Sequence, residues 1–358
     1  MSKIKIAIFV HGLSGGVGQV LINYFNNMPK DYDLDIITMN VESKQLLSEF
    51  KNSNFKVIKI PSKSESFVRN MLSMFLIFKK KKYDIAYAHM TLTNFFPLFV
   101  AKCCGVKIRV SHSHLAEKKS LYTSTLGWLT RLVSTDYLAC GEKAGRFLYG
   151  NKSFTVFNNA IDLNLYAFNS RMRSRVRKSL GISENTVVLG NVGRFSKQKN
   201  HDFLLELFKE YHDYNKDSML ILIGDGELHK YLERKVQSLG IDSSVKFLGQ
   251  LNNVNKVLQA MDLFVQPSLF EGLSLAAIEA QAAGVPCIFS STVTNETKVT
   301  SNVSFISLNA PMNVWVECCK KLIKLGHTNT VNELRKNGYD IFQESEKLDT
   351  FLKANLRK

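Results

Sequence analysis

"DLFVQPSLFEGLSLAAIEAQAAGVPCIFS", Asp262 to Ser290, sets a helix-forming stretch rich in alanine between two strand-like apolar runs, Leu263–Val265 and Cys287–Phe289. A strand ending near Gln266, a loop with Glu271 and Gly272, and a helix from about Ser274 to Ala283 make the repeating unit of a parallel sheet. The loop then lies at the C-terminal edge of the strands. The first free amides of the helix can face an anion there, while Glu279 lies roughly 7 Å further along the axis. That span suits a phosphate at one end and a ribose at the other, with Glu271 left for a sugar's hydroxyls. A single glutamate pair at this spacing is commonly a solvated helix face. "PSLFEG" before it and "AQAAGVP" after it make the pattern specific.

The same rhythm extends in both directions. Strand-like runs recur upstream at Val187–Val192, Met219–Ile223 and Val245–Leu248. Before the charged segment "FNSRMRSRVRKSLGISEN", Phe168–Asn185, they occur at Ile4–Val10, Leu34–Thr38, Lys56–Ile60, Ile85–Ala88, Ile108–Ser111 and Tyr137–Ala139, alternating with helical stretches. This predicts two facing Rossmann-like α/β domains, each a parallel sheet wrapped by helices, with ligands held in the cleft between the C-terminal edges of their strands. The expected boundaries are 1–168, 169–340 and a C-terminal helix, 341–358, packing back toward the first domain.

Two further stretches carry candidate chemistry. In "GRFSKQKN", Gly193–Asn200, the cations Arg194, Lys199 and Lys197 precede a helix that Asn200 can cap. Positive charge at a helix N-terminus opposes the macrodipole, so an anion belongs among them unless the turn is simply a solvated basic one. "GDGEL", Gly224–Leu228, reads first as a tight turn with Glu227 opening a helix. "HGLSGGVGQVLINYF", His11–Phe25, reads as a strand running into a glycine loop and then a helix. Its spacing matches neither the dinucleotide fingerprint nor the ATPase phosphate loop.

At 358 residues and 45% hydrophobic, the chain can bury two domain cores. Its charge of +16 is uneven: residues 1–160 hold 22 Lys and Arg against 10 Asp and Glu, the remainder 25 against 21. The first half thus suits an anionic membrane surface or nucleic acid. No DNA-binding or RNA-binding motif stands out, which disfavours a nucleic-acid-binding protein. "RNMLSMFLIFKKKKYD", Arg69–Asp84, reads as either a packed helix with a basic end or a membrane-surface helix, and Trp128 with Arg131 offers a second contact. The apolar run before His11 is too short for a secretion signal, and the six cysteines include two adjacent pairs and no Cys-x-x-Cys, so a cytoplasmic chain with reduced core cysteines is expected.

"GGV" in the glycine stretch, "GRFSKQKN", "GDGEL", and Glu271 and Glu279 within "PSLFEGLSLAAIEAQAAGVPC" together resemble the bacterial glycosyltransferases of family four, which have the GT-B fold. "HMTLTNFF", "IRVSHSH" and "NNAIDL" are similar to the subgroup that makes exopolysaccharide and capsule. One departure is Ala160 in "NNAID", where much of the wider family has Gly. The resemblance implies a retaining transfer of a hexosyl or N-acetylhexosaminyl group from a nucleotide-sugar donor to a lipid-linked saccharide acceptor, at the cytoplasmic face of the membrane. It implies that Arg194 and Lys199 neutralise the diphosphate and that Glu279 holds the ribose. Glu271, with the amides of Gly272, Leu273 and Ser274, would hold the sugar and its phosphate, while Gly15 and Gly16 approach from the opposite domain. One histidine of "SHSH" would face the sugar; His112 is the first candidate and His114 its rival. No metal is expected, since basic side chains and helix amides do that work in this family. UDP-sugars are the first donors to test, and a nucleotide-sugar epimerase on the same fold is the alternative enzyme.

Overall fold

The computed structural model describes residues 3–13, 15–41, 47–50, 53, 55–116 and 120–357. The chain divides into two α/β units, Met1–Ile161 with Gly338–Lys358, and Asp162–Asn337. In the first, β1 (Ile4–Leu13), β2 (Tyr32–Val41), β3 (Phe55–Lys59), β4 (Ile85–Ala88), β5 (Ile108–Ser113), β6 (Asp136–Ala139) and β7 (Thr155–Val156) form a parallel sheet of order β3-β2-β1-β4-β5-β6-β7. In the second, β8 (Val187–Val192), β9 (Ser218–Ile223), β10 (Val245–Phe247), β11 (Leu263–Gln266), β12 (Cys287–Ser290) and β13 (Val303–Ile306) follow the order β10-β9-β8-β11-β12-β13. Each order reverses beside its first strand, between β1 and β4 and between β8 and β11. There the following segments leave in opposite directions and open a crevice at the carboxyl edge. Each unit is therefore a Rossmann-like parallel sheet.

The central strands are buried on both faces, as parallel strands covered by helices must be. Ile6 and Ile8 of β1 pack with Tyr24 and Phe25 of the helix Gly15–Asn26, whereas Ala7 and Phe9 pack with Met74 and Phe78 on the other face. β7 and β13 went unanticipated; both are edge strands, one only two residues long and the other mostly half-buried, so neither shows an apolar run.

The second unit opens at Asp162 rather than at 169. Asp162 caps the short helix Leu163–Tyr166, which belongs with the second sheet. The following charged segment forms the helix Ser170–Ser179, fastened by Arg173 and Arg177 to Asp262: Arg173 Nη2 lies 2.6 Å from Asp262 Oδ1, and the fully buried Arg177 reaches Oδ2 at 3.3 Å. The chain returns to the first unit at Gly338. Its last helix, Ile341–Leu356, buries Ile341, Leu348 and Leu352 in the first core, and Ser345 Oγ donates to the Tyr24 carbonyl at 3.1 Å. Ala160 is fully buried in the same core.

The glycine stretch differs from its reading as a loop. β1 runs through Leu13 and the helix starts at Gly15, so Gly15, Gly16 and Gly18 lie in a first helical turn. A Cβ at Gly16 would meet nothing within 4 Å, so packing does not demand glycine there. The cysteines also need correction: Cys140, Cys287 and Cys319 are buried, but Cys103 is exposed.

The helix Phe67–Lys80 packs through Asn70, Met74 and Phe78, four residues apart, and turns Phe67, Val68, Leu72, Phe75 and Leu76 outward. Lys81 beyond its end is taken up by Asp33 at 2.9 Å and Asp35 at 3.0 Å. Trp128 and Leu132 of the helix Leu121–Val133 are exposed, while Arg131 Nη1 donates to the Leu148 carbonyl. Among the described residues, no helix is long and apolar enough to cross a membrane.

Candidate functional site

In the second unit the crevice lies between the segments that follow β8 and β11. The chain leaves β8 through Gly193 and Arg194, makes a single 3-10 turn at Lys197–Lys199, and enters the helix His201–Tyr214. Main-chain and side-chain bonds stitch this turn to the loop after β11. The Leu269 amide donates to the Gln198 carbonyl at 2.8 Å, and Gln198 Nε2 to the Phe270 carbonyl at 3.0 Å. Asn200 does not cap its helix as expected. It adopts a left-handed conformation, φ 56°, that turns its side chain away from the helix amides, and its Nδ2 donates to the Pro267 carbonyl at 3.1 Å.

This stitching brings Lys199 and Glu271 together. Lys199 Nζ pairs with Glu271 Oε2, with only 17% and 15% of the two side chains exposed. Arg194 is not drawn into that pair; its Nε reaches Glu227 Oε2 at 3.2 Å on the exposed rim. Glu227 precedes its helix, which starts at His229. The "GDG" turn acts as a brace: a Cβ at Gly224, φ +137°, would fall 2.0 Å from the Gly193 carbonyl oxygen, so only glycine lets the two turns touch. Phe195 N then donates to the Asp225 carbonyl at 3.0 Å. His201 lies beneath, buried beside Phe195, and burial followed by the nearby Lys199 charge pushes its pKa down to about 4.

Gly272, Leu273 and Ser274 lead into the helix Leu275–Ala282. Ser274 is its cap, accepting from the Ala277 amide and donating to Gln266 Oε1 at 2.9 Å. Gln266 Nε2 and Ser268 Oγ beside it are buried, without a hydrogen-bond partner among the described residues. Such groups are costly unless something supplies acceptors, which gives this loop unused capacity toward an anion. Glu279 sits further along the same helix. Tyr166 Oη donates to its Oε1 at 2.9 Å, and burial drives its pKa up to about 7 against the opposing effect of that bond. Tyr166 was missed in the sequence, since nothing in a four-residue helix over a hundred positions away marks a partner for Glu279.

His112 lies in the first unit with Gly15 and Gly16, at the carboxyl edges of β1 and β5. It belongs to a stack. Tyr87 Oη shares a hydrogen bond with His112 Nδ1 at 2.9 Å, and His89 Nδ1 with His114 Nε2 at 2.8 Å. The rings of His112 and His114 stack 4.2 Å apart at 19°. His112 is enclosed, 3% exposed, whereas His114 beyond the strand end is half-buried, so His114 is the outer of the two rivals. Burial lowers the pKa of all three histidines, to about 4 for His114, so the stack is neutral near pH 7. Candidate metal-ligand atoms of His89, His112 and His114 lie within 4.8 Å of one another. A metal must lie in the plane of each imidazole that binds it, and nearly parallel stacked rings share no such point; holding an ion here requires the rings to turn. His89 was overlooked in the sequence. Tyr87 pairs with Val110, two residues before His112, so alternation along the two paired strands puts Tyr87, His89, His112 and His114 on one face.

The model of the family described as "Glycosyl transferases group 1" matches residues 172–340. EpsF of Bacillus subtilis (strain 168), named a glycosyltransferase, is 30% identical over 354 residues, covering 92% of this chain and 91% of that protein. The UDP-Gal:alpha-D-GlcNAc-diphosphoundecaprenol alpha-1,3-galactosyltransferase of Escherichia coli is 28% identical over 375 residues, 97% of this chain and 96% of the other. Among solved structures, Anabaena HepE in complex with UDP-glucose superposes with a TM-score of 0.81 at 17% identity, covering 98% of this chain and 100% of that one. On the match to EpsF over nine-tenths of both proteins, this chain belongs to the glycosyl transferases group 1 family.

Proposed function

We propose that this glycosyltransferase is a retaining enzyme of family four. It moves a hexosyl or N-acetylhexosaminyl group from a nucleotide-sugar to a lipid-linked saccharide during capsule or exopolysaccharide biosynthesis. The observation that carries this reading is the Lys199–Glu271 pair at the switch point of the second sheet, with the buried Glu279 on the helix that follows Glu271. Support for the donor comes from HepE, solved with UDP-glucose, and from the E. coli relative, whose name gives a UDP-Gal donor and a diphosphoundecaprenol-linked acceptor. The group 1 match does not favour the epimerase alternative.

In this mechanism the anomeric carbon–phosphate oxygen bond breaks and its electron pair leaves on the nucleoside diphosphate, while an acceptor hydroxyl oxygen bonds the anomeric carbon from the same face and its proton passes to the departing diphosphate oxygen. Lys199 turns from Glu271 toward that developing charge, Arg194 exchanges Glu227 for it, and the amides of Gly272 to Ser274 add fixed dipoles. Glu271, released from Lys199, accepts from the sugar's hydroxyls, and Glu279 accepts from the ribose diol. These groups supply the charge stabilisation, with no resident metal. The exposed apolar faces of the helices Phe67–Lys80 and Leu121–Val133 rest on an anionic membrane surface.

The test is product analysis by NMR after incubation with UDP-sugars and a lipid diphosphate-linked saccharide. An α-linked product from an α-linked donor supports retention. An inverted product, or no transfer from any nucleotide-sugar, overturns the reading.

A further inference from the structure

At the carboxyl edges of β1 and β2 the first unit contains an open cavity of about 330 Å³, lined by His11, Gly12, Met39, Asn40 and Ser62 to Ser64. That is roughly ten times the volume share of one water molecule, enough for a diphosphate. Lys63 is its notable feature. The Nζ atom is buried and has no hydrogen-bond partner among the described residues; it rests 3.8 Å from the centroid of the Phe96 ring. An ammonium deprived of water and of acceptors is unfavourable, and a ring face offsets only part of the loss. Accordingly, burial pushes the Lys63 pKa down to about 8. His11 stands across the cavity with its Nε2 3.0 Å from Thr93 Oγ1. The nearby carboxylate, Glu65, is turned onto the Ser62 amide at 3.1 Å and does not line the cavity.

An apolar surface begins where the cavity ends. Phe96, which carries Lys63 on its face, meets the Phe67 ring edge-on at 5.6 Å. Phe67 opens the outward face of the helix Phe67–Lys80, where Val68 is 73%, Leu72 52% and Leu76 55% exposed. Cationic cavity and apolar face are therefore continuous through two aromatic rings. A ligand complementary to both carries an anionic head and a hydrocarbon tail.

We propose that this cavity receives the phosphate or diphosphate of a lipid-linked acceptor through Lys63 and His11, with the hydrocarbon chain lying on Phe67, Val68, Leu72 and Leu76. This deepens the function proposed above and rests on it for the acceptor's identity. An arriving phosphate gives Lys63 the acceptor it lacks and draws it off Phe96.

The experiment is competitive acylation of the whole protein with an amine-reactive ester, reading the modification of Lys63 by mass spectrometry. Saturating UDP is present throughout to occupy any donor diphosphate site. Farnesyl diphosphate is the amphiphilic probe, with inorganic diphosphate and farnesol as its two halves. At about ten times its Kd, farnesyl diphosphate should slow Lys63 labelling about tenfold. Inorganic diphosphate should do so only at much higher concentration, and farnesol not at all. No protection by farnesyl diphosphate, or equal protection by farnesol, overturns the proposal; equal protection by inorganic diphosphate reduces it to a free-phosphate site and overturns the lipid assignment. In a transfer assay, Lys63→Gln should raise the KM for a lipid diphosphate-linked acceptor about tenfold or more and leave the donor KM unchanged. A raised donor KM would count against it. The two readings separate cleanly. Protection of Lys63 in a protein that binds no nucleotide contradicts the glycosyl-transfer mechanism alone, whereas nucleotide binding without protection contradicts this site alone.

Discussion

At the scale of single residues, the ribose contact proposed for Glu279 would couple nucleotide binding to pH. Its buried carboxyl has a pKa near 7, against an ordinary value of 4.5, because burial penalises the charged form. A carboxylic acid whose folded pKa is raised stabilises the fold below the unfolded value, and that contribution is lost as pH rises through about 7. The melting temperature of wild type relative to Glu279→Gln should therefore fall between pH 5 and pH 8, which scanning calorimetry of both proteins would read. A ribose diol donates two hydrogen bonds and prefers the carboxylate, so nucleotide binding should release protons near neutrality. Calorimetric titration with UDP in buffers of different ionisation heat should detect that release in wild type and not in Glu279→Gln. Glu271→Gln should behave differently, sparing free UDP while weakening the intact donor or its transfer, since amidation costs about 1.5 to 3 kcal/mol only for ligands that carry the bonded hydroxyl. Equal losses for both ligands in both variants would assign the pair a structural role. The glutamates could be read in the sequence because loop and helix N-terminus fix their spacing. The Lys199–Glu271 pair could not, since it depends on the Gln198 and Asn200 bonds to the neighbouring loop.

Elements decide what these residues can reach. The turn at Lys197–Lys199 is held to the loop after β11, so Lys199→Ala removes a charge and leaves the main-chain stitching intact. Turnover should fall about a hundredfold or more, roughly 3 kcal/mol of barrier. Arg194→Ala should slow turnover as well, and near-wild-type rates in both variants would remove them from the chemistry. The helix Phe67–Lys80 was ambiguous from its sequence, because an amphipathic pattern does not say which face is covered. In the structure Met74 and Phe78 face the core, while Leu72 and Leu76 do not. Replacing Lys79, Lys80 and Lys82 with Gln should weaken sedimentation with anionic vesicles, by about 1 kcal/mol per lysine, and added salt should mimic the loss. Lys81 is omitted because Asp33 and Asp35 already hold it. Unchanged sedimentation would make this face something other than a membrane contact. The glycine stretch misled for a different physical reason: glycine suits loops and permits close approach, but here the stretch opens a helix, and at Gly16 packing does not require it.

At the scale of the whole molecule, the strand-like runs were readable because strands buried on both faces must be apolar throughout. The unit boundaries were not readable. Arg173 and Arg177 look like solvated charge in a sequence, yet both close on Asp262, the residue that opens the β11 segment. Arg177→Ala should destabilise the protein by about 3 kcal/mol or more, since it leaves buried carbonyls and part of a buried carboxylate unpaired; urea denaturation would measure it. The histidine stack likewise needed the pairing of β4 with β5 to bring His89 to His114. The central claim is that the second unit binds a nucleotide-sugar through Lys199, Glu271 and Glu279, and a thermal-shift panel of UDP-, GDP-, ADP- and dTDP-sugars tests it most directly. Ligand at about a hundred times its Kd adds roughly 2.7 kcal/mol to apparent stability. At least one base should raise the melting temperature of wild type by several degrees and that of Glu279→Gln by much less; equal shifts in the two proteins, or no shift with any of the four, would contradict the claim.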